Sequence, residues 1–142
     1  MFTQSAYIRK STPKLIKQLK MLGYDIVGLL YDSGGWLYTG VCNNAYIVRG
    51  KDTDDFLEDV RISPREIINC GTNEDLFLAI AALRNDSDFM QWFIWDKDTL
   101  ISQKGGWMLC YHSTMRKDML EQGYYHKASV KELIEHFNIK PE

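Results

Sequence analysis

Apolar residues recur at helical spacing in three separate stretches, each introduced by a capping residue. Leu15, Leu19 and Leu22, with Ile16, form the first stripe behind Ser11-Thr12-Pro13. Thr12 is the expected N-cap and Pro13 the first helical residue, where its missing N–H costs nothing. Gly23 is the expected C′ residue. Leu76, Phe77, Ile80 and Leu83 form the second stripe, opened by Gly71-Thr72-Asn73-Glu74-Asp75 with Thr72 as its expected cap, and Ala79, Ala81 and Ala82 strengthen it. Leu133, Ile134 and Phe137 form the third, behind a Ser129/Glu132 capping box. Phe56, Leu57 and Val60 after Thr53-Asp54-Asp55 predict a further helix over 53–60. A short helix carrying Met115, Met119 and Leu120 is expected to end at Gly123.

Between these helices the pattern changes to that of strands, over 6–9, 24–31, 36–42, 45–49, 66–69, 89–95, 99–102, 107–112 and the segment before Ser129. Turn compositions separate them at Asp32-Ser33-Gly34-Gly35, Asn43-Asn44, Asp96-Lys97-Asp98 and Lys104-Gly105-Gly106. On the strand over 89–95, alternation turns Trp92 and Ile94 to one face and Phe93 and Trp95 to the other.

The order of elements is stated twice, about 60 residues apart, with Gly34-Gly35-Trp36 and Gly105-Gly106-Trp107 in equivalent places. The strand-to-cap phrase then returns a third time at Ser129. We therefore expect a single compact α+β domain over 1–142, a largely antiparallel sheet with helices packed on it. It would comprise two βαβββα-like units, 6–60 and 65–122, plus a terminal βα over 124–138. A cleft between the two units, with Trp36 and Trp107 at equivalent positions, is the expected place for a ligand.

Composition narrows the function classes. Hydrophobic content of 45% and charged content of 25% describe a globular chain. A net charge of −2 argues against bulk attraction to nucleic acid or to an anionic membrane. No apolar run approaches the ~20 residues that span a bilayer, and charges interrupt the first stretch of chain where a signal peptide would lie. A cytoplasmic location is expected. The charges are segregated: Arg9, Lys10, Lys14, Lys17 and Lys20 make 1–24 basic, while Asp52, Asp54, Asp55, Glu58 and Asp59 form an acidic stretch. Two solvated faces that attract each other explain this most simply, with an acidic or phosphate-bearing partner for the basic face as the alternative.

Chemical signatures are few. Cys42, Cys70 and Cys110 are odd in number and form no C-x-x-C pair, which fits buried thiols in a reducing compartment. Cys110 and His112 would share a face of one strand and supply the Cys–His pair of a cysteine hydrolase. Such neighbours seldom meet in nucleophile–base geometry, however, and no oxyanion-hole loop or orienting third residue accompanies them. With His126 and His136 added, the spacing still matches no zinc pattern, so neither metal nor cofactor is expected. The carboxylates Asp54, Asp55, Glu58 and Asp59 lie in a solvated stretch, not in the apolar setting that acid–base work requires. Both Gly-Gly pairs precede strands, so they are hairpin turns and not phosphate loops. Aromatics make up 13% of the chain, and Trp36, Tyr38, Trp92, Trp95, Trp107 and Tyr111 are the candidate residues for recognition.

Three phrases resemble segments of small proteins carried by gut anaerobes, their phages and mobile elements, a group with no assigned activity. They are Ile8-Arg9-Lys10-Ser11-Thr12-Pro13 with Leu22-Gly23-Tyr24, the run from Cys70 through Leu83-Arg84, and Tyr125-His126-Lys127-Ala128-Ser129. The resemblance touches about half of the chain and implies a small cytosolic accessory protein, for which inhibition or sequestration is a frequent role. It carries over no catalytic residues. The sequence thus points to a non-enzymatic binding protein that acts on a partner protein or associates with itself, for instance as a homodimer. The alternatives are a nucleotide or other small ligand in the cleft between the halves, and a cysteine-dependent hydrolase using Cys110 and His112.

Overall fold

A computed structural model describes residues 2–27, 36–40, 44–48 and 67–138. The turn expected over 32–35, Asn43 of the turn expected at 43–44, the helix expected over 53–60, its acidic stretch and Cys42 lie outside them. The described part has helices and two mostly antiparallel sheets, an α+β fold.

The first sheet has five strands: β1 (Ser5–Ile8), β2 (Asp25–Val27), β3 (Trp36–Thr39), β4 (Asn44–Val48) and β5 (Ile67–Asn69), in the order β2-β4-β3-β1-β5. Strand β3 is antiparallel to β1 and β4, whereas β2 runs parallel to β4 and β5 parallel to β1. The registers Ala6–Thr39–Ala45 and Ile8–Leu37–Ile47 gather small and aliphatic side chains on one face, which packs into the core. Tyr7 and Tyr38 face the other way. There the Tyr7 ring lies 5.8 Å from that of Trp36, and the Arg9 guanidinium sits 5.7 Å over Trp36.

Helix α1 (Pro13–Leu22) forms as its local signals require. The Thr12 hydroxyl accepts the Leu15 N–H, and Gly23 closes the helix at φ 110°, donating to the Leu19 and Lys20 carbonyls. It buries Leu15, Ile16, Leu19 and Leu22 and leaves its lysines outside. Arg84 then pins its end: one guanidinium nitrogen donates to the Leu22 carbonyl, two others grip Asp86, and the plane lies over the Phe2 ring.

Helix α2 (Glu74–Ala81) corrects one expectation. Its cap is Asn73, and Thr72 is exposed. An amide offers a separate acceptor and donor, and both are used: Oδ1 accepts the Leu76 N–H at 3.0 Å, while Nδ2 donates to the Phe137 carbonyl at 2.6 Å. One side chain therefore caps α2 and holds the last helix. The Thr12 hydroxyl donates to the Glu74 carboxylate at 2.6 Å, tying the starts of α1 and α2 together.

The second sheet comprises β6 (Trp92–Trp95), β7 (Trp107–Leu109) and β8 (Tyr125–Lys127) in the antiparallel order β7-β6-β8, with α3 (Lys117–Glu121) and α4 (Val130–Phe137). Its alternation is as read from the sequence. Trp92 and Ile94 face the main core, while Phe93 and Trp95 face a second cluster with Cys110 and Tyr125. The Ser129/Glu132 capping box is complete.

The strand expected over 99–102 is instead a turn. The Thr99 N–H donates to the Ser102 carbonyl at 2.8 Å and the two hydroxyls meet at 2.6 Å, so a local clasp prevails over β-prone composition. Strand β5 joins the first sheet beside β1, because its parallel pairing is a long-range choice. The recurrence therefore takes a different form. In β4-β3-β1 and in β7-β6-β8 the first strand of a hairpin pairs antiparallel with a strand that enters a capped helix, α1 or α4. The strand–helix unit precedes the hairpin in one case and follows it in the other.

Helices α1 and α2 lie on the inner face of the first sheet, and α4 packs between α2 and the second sheet. One core cluster runs through these layers, from Phe2 and Ala6 to Ala128 and Leu133. Among the described residues no helix is long and apolar enough to cross a membrane.

Candidate functional site

Helix α2 is apolar on two sides, because it lies between layers. Leu76, Phe77 and Ile80 face the first sheet's core, while Asp75, Leu78 and Ala79 line a cleft of about 330 Å³. Gln18 of α1 forms another wall. Trp92 and Leu109, opposed in the β6–β7 register and so on one face, contribute a third with Met90 and with Phe137 at the end of α4.

The wall around Trp92 is a packed group of rings. Trp92 lies 5.4 Å from Phe137 and 6.2 Å from Trp107, and the His136 imidazole stacks on Trp107 at 3.9 Å and 15°. Such contacts fix the rings before anything binds. Met90 adds a strained backbone. Its φ of 65° lies in the left-handed region, which costs roughly 1–2 kcal/mol in a residue with a Cβ. The Met90 N–H to Cys110 carbonyl bond (2.7 Å) holds it, as does the buried Gln91 amide, which donates to the Arg84 and Ser87 carbonyls. Strain of this kind concentrates where a wall must hold one shape.

Among the described residues, only Gln18 and Asp75 bring polar side chains to this lining, and Asp75 pairs with no cation. No lysine or arginine is among the described residues of the lining. The described lining is thus apolar with one carboxylate and one amide at its edge.

The residues singled out from the sequence are scattered. Trp92 lines the cleft and Trp107 backs it. Trp36 and Tyr38 belong to the first sheet, Trp36 beside Tyr7 and Arg9, so Trp36 and Trp107 belong to separate ring groups. Trp95 meets Tyr125 edge-on at 5.2 Å in the second cluster, and Tyr111 is exposed. Lys10, Lys14, Lys17 and Lys20 are exposed and pair with no acid among the described residues. Gln18, Asp75, Leu78 and Phe137 were missed. The usable signal was Leu78 and Ala79 standing off the main stripe of α2.

Cys110 and His112 lie beyond the end of β7, so the shared strand face does not exist. The buried Cys110 thiol donates to the His112 main-chain carbonyl at 3.1 Å, and the imidazole is exposed. No hydrogen bond joins thiol to imidazole, which nucleophile activation would need. Cys70 is a free buried thiol whose pKa burial pushes up to about 12, away from reactive thiolate. Among the described residues no group of three or more His, Cys, Asp and Glu side chains is placed to hold a metal ion.

His126 lies with each ring nitrogen against a carboxylate, Nδ1 at 2.8 Å from Asp96 and Nε2 at 3.0 Å from Glu132. Only the doubly protonated ring can donate to both. Hydrogen bonds to Asp96, then to Glu132, raise its pKa above the ordinary 6.5. Burial works to raise the Glu132 pKa, but the Ser129 N–H and His126 outweigh it and hold the carboxyl below its ordinary 4.5. A raised histidine pKa stabilises the fold fully below 6.5, and that contribution is lost as pH rises through the raised value. The lowered glutamate pKa contributes above 4.5 and is lost as pH falls through the lowered one. Urea midpoints taken from about pH 6 to about pH 8 should fall in the native chain and stay nearly flat in His126→Gln. Equal slopes in the two would show that the bridge contributes nothing.

No protein-family model, curated protein or solved structure matches the chain.

Proposed function

We propose that this chain is a non-enzymatic binding protein that receives an apolar side chain of a partner protein in the cleft between α1, α2 and the second sheet. The observation that carries this reading is the pre-formed aromatic wall of Trp92 and Phe137 around a cleft of about 330 Å³. That volume is at the small end of ligand sites and suits one or two side chains. A rigid apolar socket is what an interface anchor requires, and Asp75 at its edge would select anchors flanked by a positive charge. The resemblance to small proteins of phages and mobile elements fits a protein that acts by occupying a partner and not by transforming a substrate. The same cleft supports a second reading, a small neutral or cationic aromatic ligand. A nucleotide is less well served, since its phosphates would meet Asp75 and, among the described residues of the lining, no cation.

Three compounds of one size test this by calorimetry. 2-Phenylethylamine should bind with a Kd of about 1 mM, 2-phenylethanol more weakly, and phenylacetate most weakly. Asp75→Asn should remove the roughly threefold to tenfold advantage of the amine over the alcohol while leaving the alcohol's affinity unchanged. Failure of all three to bind at about 10 mM would sink the proposal, and preference for the acid would reverse its charge sense.

A further inference from the structure

Resting on the reading of the cleft as an anchor site, we propose that its occupant is the Leu100-Ile101 tip of a second copy of this chain. The tip lies in the 96–106 connection between β6 and β7, where Leu100 is 106% and Ile101 91% exposed. Neighbouring aliphatic side chains this bare are uncommon on a folded surface and mark contact sites. The turn that presents them is built. Besides the Thr99–Ser102 clasp, the Ile101 N–H donates to the Thr99 hydroxyl, the Lys104 N–H to the Asp98 carboxylate, and the Gly105 N–H to the Trp95 carbonyl. Little ordering entropy is left to lose when the tip is bound.

Tip and cleft are complementary in two respects. Leu78, Met90, Leu109 and Phe137 supply an apolar lining for two aliphatic side chains. Lys104 stands exposed beside the tip with no acid partner among the described residues, and Asp75 stands in the cleft with no cation. A lipid surface fits less well. The charges of the connection, Asp96, Lys97, Asp98 and Lys104, cancel, so nothing draws the tip to an anionic headgroup.

The contact must form between copies. Leu100 and Ile101 are bare of contacts within their own chain, so they do not fill its own cleft. Each copy then offers one tip and one cleft, so two copies either exchange both tips about a two-fold axis or join through a single head-to-tail contact. The two-fold pair is a closed dimer, whereas a pair joined once keeps one free tip and one free cleft and grows with concentration or closes into a ring.

That polarity gives a mixing test by sedimentation velocity on the full chain. The native protein should gain mass between about 10 µM and about 1 mM, the range expected of a small interface. The tip variant Leu100→Asp/Ile101→Asp and the cleft variant Leu78→Arg should each be monomeric alone. Mixed in equal amounts they should form a dimer and nothing larger, since one supplies the cleft and the other the tip. If Leu78→Arg fails to fold, Gln18→Arg takes its place on the rim of the same cleft. A native chain that stays monomeric, variants that assemble like it, or a mixture that stays monomeric would each overturn the proposal. So would tip-dependent binding to phosphatidylcholine vesicles without self-association. The 2-phenylethylamine titration of the tip variant separates the two failures. Binding without assembly removes only the second copy as occupant, and no binding removes the cleft reading itself.

Discussion

Replacing Phe77 with alanine is expected to remove about 3–5 kcal/mol of stability, the cost of deleting a fully buried ring. Phe77 is 0% exposed on the face of α2 that packs against the first sheet, within the cluster that also contains Leu19, Leu37 and Ile80. Helices lie on both sides of this position and the sheet beneath, so the surroundings have little room to collapse into the space left behind. A domain of this size is stable by only about 5–15 kcal/mol, and the melting temperature should fall by roughly 10–15 °C. Urea denaturation should show a lower midpoint with an unchanged slope. Leu100→Ala is the control: its side chain touches water on all sides, and its loss should change stability by no more than about 0.5 kcal/mol. A cost below about 1 kcal/mol for Phe77→Ala would mean that α2 is not the centre of the packing.

The second large effect is expected at Asn73, where two substitutions separate two jobs. Asn73→Ala removes the α2 cap and the hydrogen bond to the Phe137 carbonyl, together about 2 kcal/mol. Asn73→Asp keeps an oxygen to accept the Leu76 N–H, and its charge suits a helix N-terminus. A carboxylate cannot donate to the Phe137 carbonyl, however, and repels it. The aspartate variant should therefore recover the capping share of the stability, about 1 kcal/mol, without recovering the tie to α4. Because Phe137 is a wall of the cleft, its 2-phenylethylamine affinity should drop severalfold even where its thermal unfolding is close to native. Native-like affinity in Asn73→Asp would show that the tie does not shape the cleft.

These two residues also show what a sequence exposes and what it conceals. Thr12, Pro13, Gly23 and the Ser129/Glu132 box act within one turn of chain, so their roles follow from spacing alone. The buried stripe of α2, and the opposite directions of Trp92 and Phe93, follow from periodicity in the same way. Thr72 and Asn73 are both competent caps standing side by side. The choice fell to Asn73, whose second hydrogen bond reaches 64 residues along the chain, and no local rule contains that bond. The pairing of β5 with β1 is equally non-local. Thr99-Leu100-Ile101-Ser102 has strand composition, and its two hydroxyls, which decide against a strand, are ordinary β-sheet residues until they meet.

For the candidate site, the sequence named Trp92 among the aromatics for recognition and expected a cleft between halves at Trp36 and Trp107. Of these, only Trp92 belongs to the described lining. Equivalence in a repeat does not make two residues neighbours. Trp36 and Trp107 hold matching positions in two phrases, yet the phrases are assembled in opposite chain order in the two sheets. What builds the cleft is the second apolar side of α2 meeting the end of α4. That meeting depends on a layer arrangement which only tertiary structure defines.

The most direct test of the cleft as the recognition site is the movement of the four tryptophan indole N–H resonances on titration with 2-phenylethylamine. Trp92 should shift most, Trp107 behind it should follow, and Trp36 and Trp95 should stay fixed. Movement of Trp36 with Trp92 unmoved would contradict this account and place recognition on the first sheet, beside Tyr7 and Arg9.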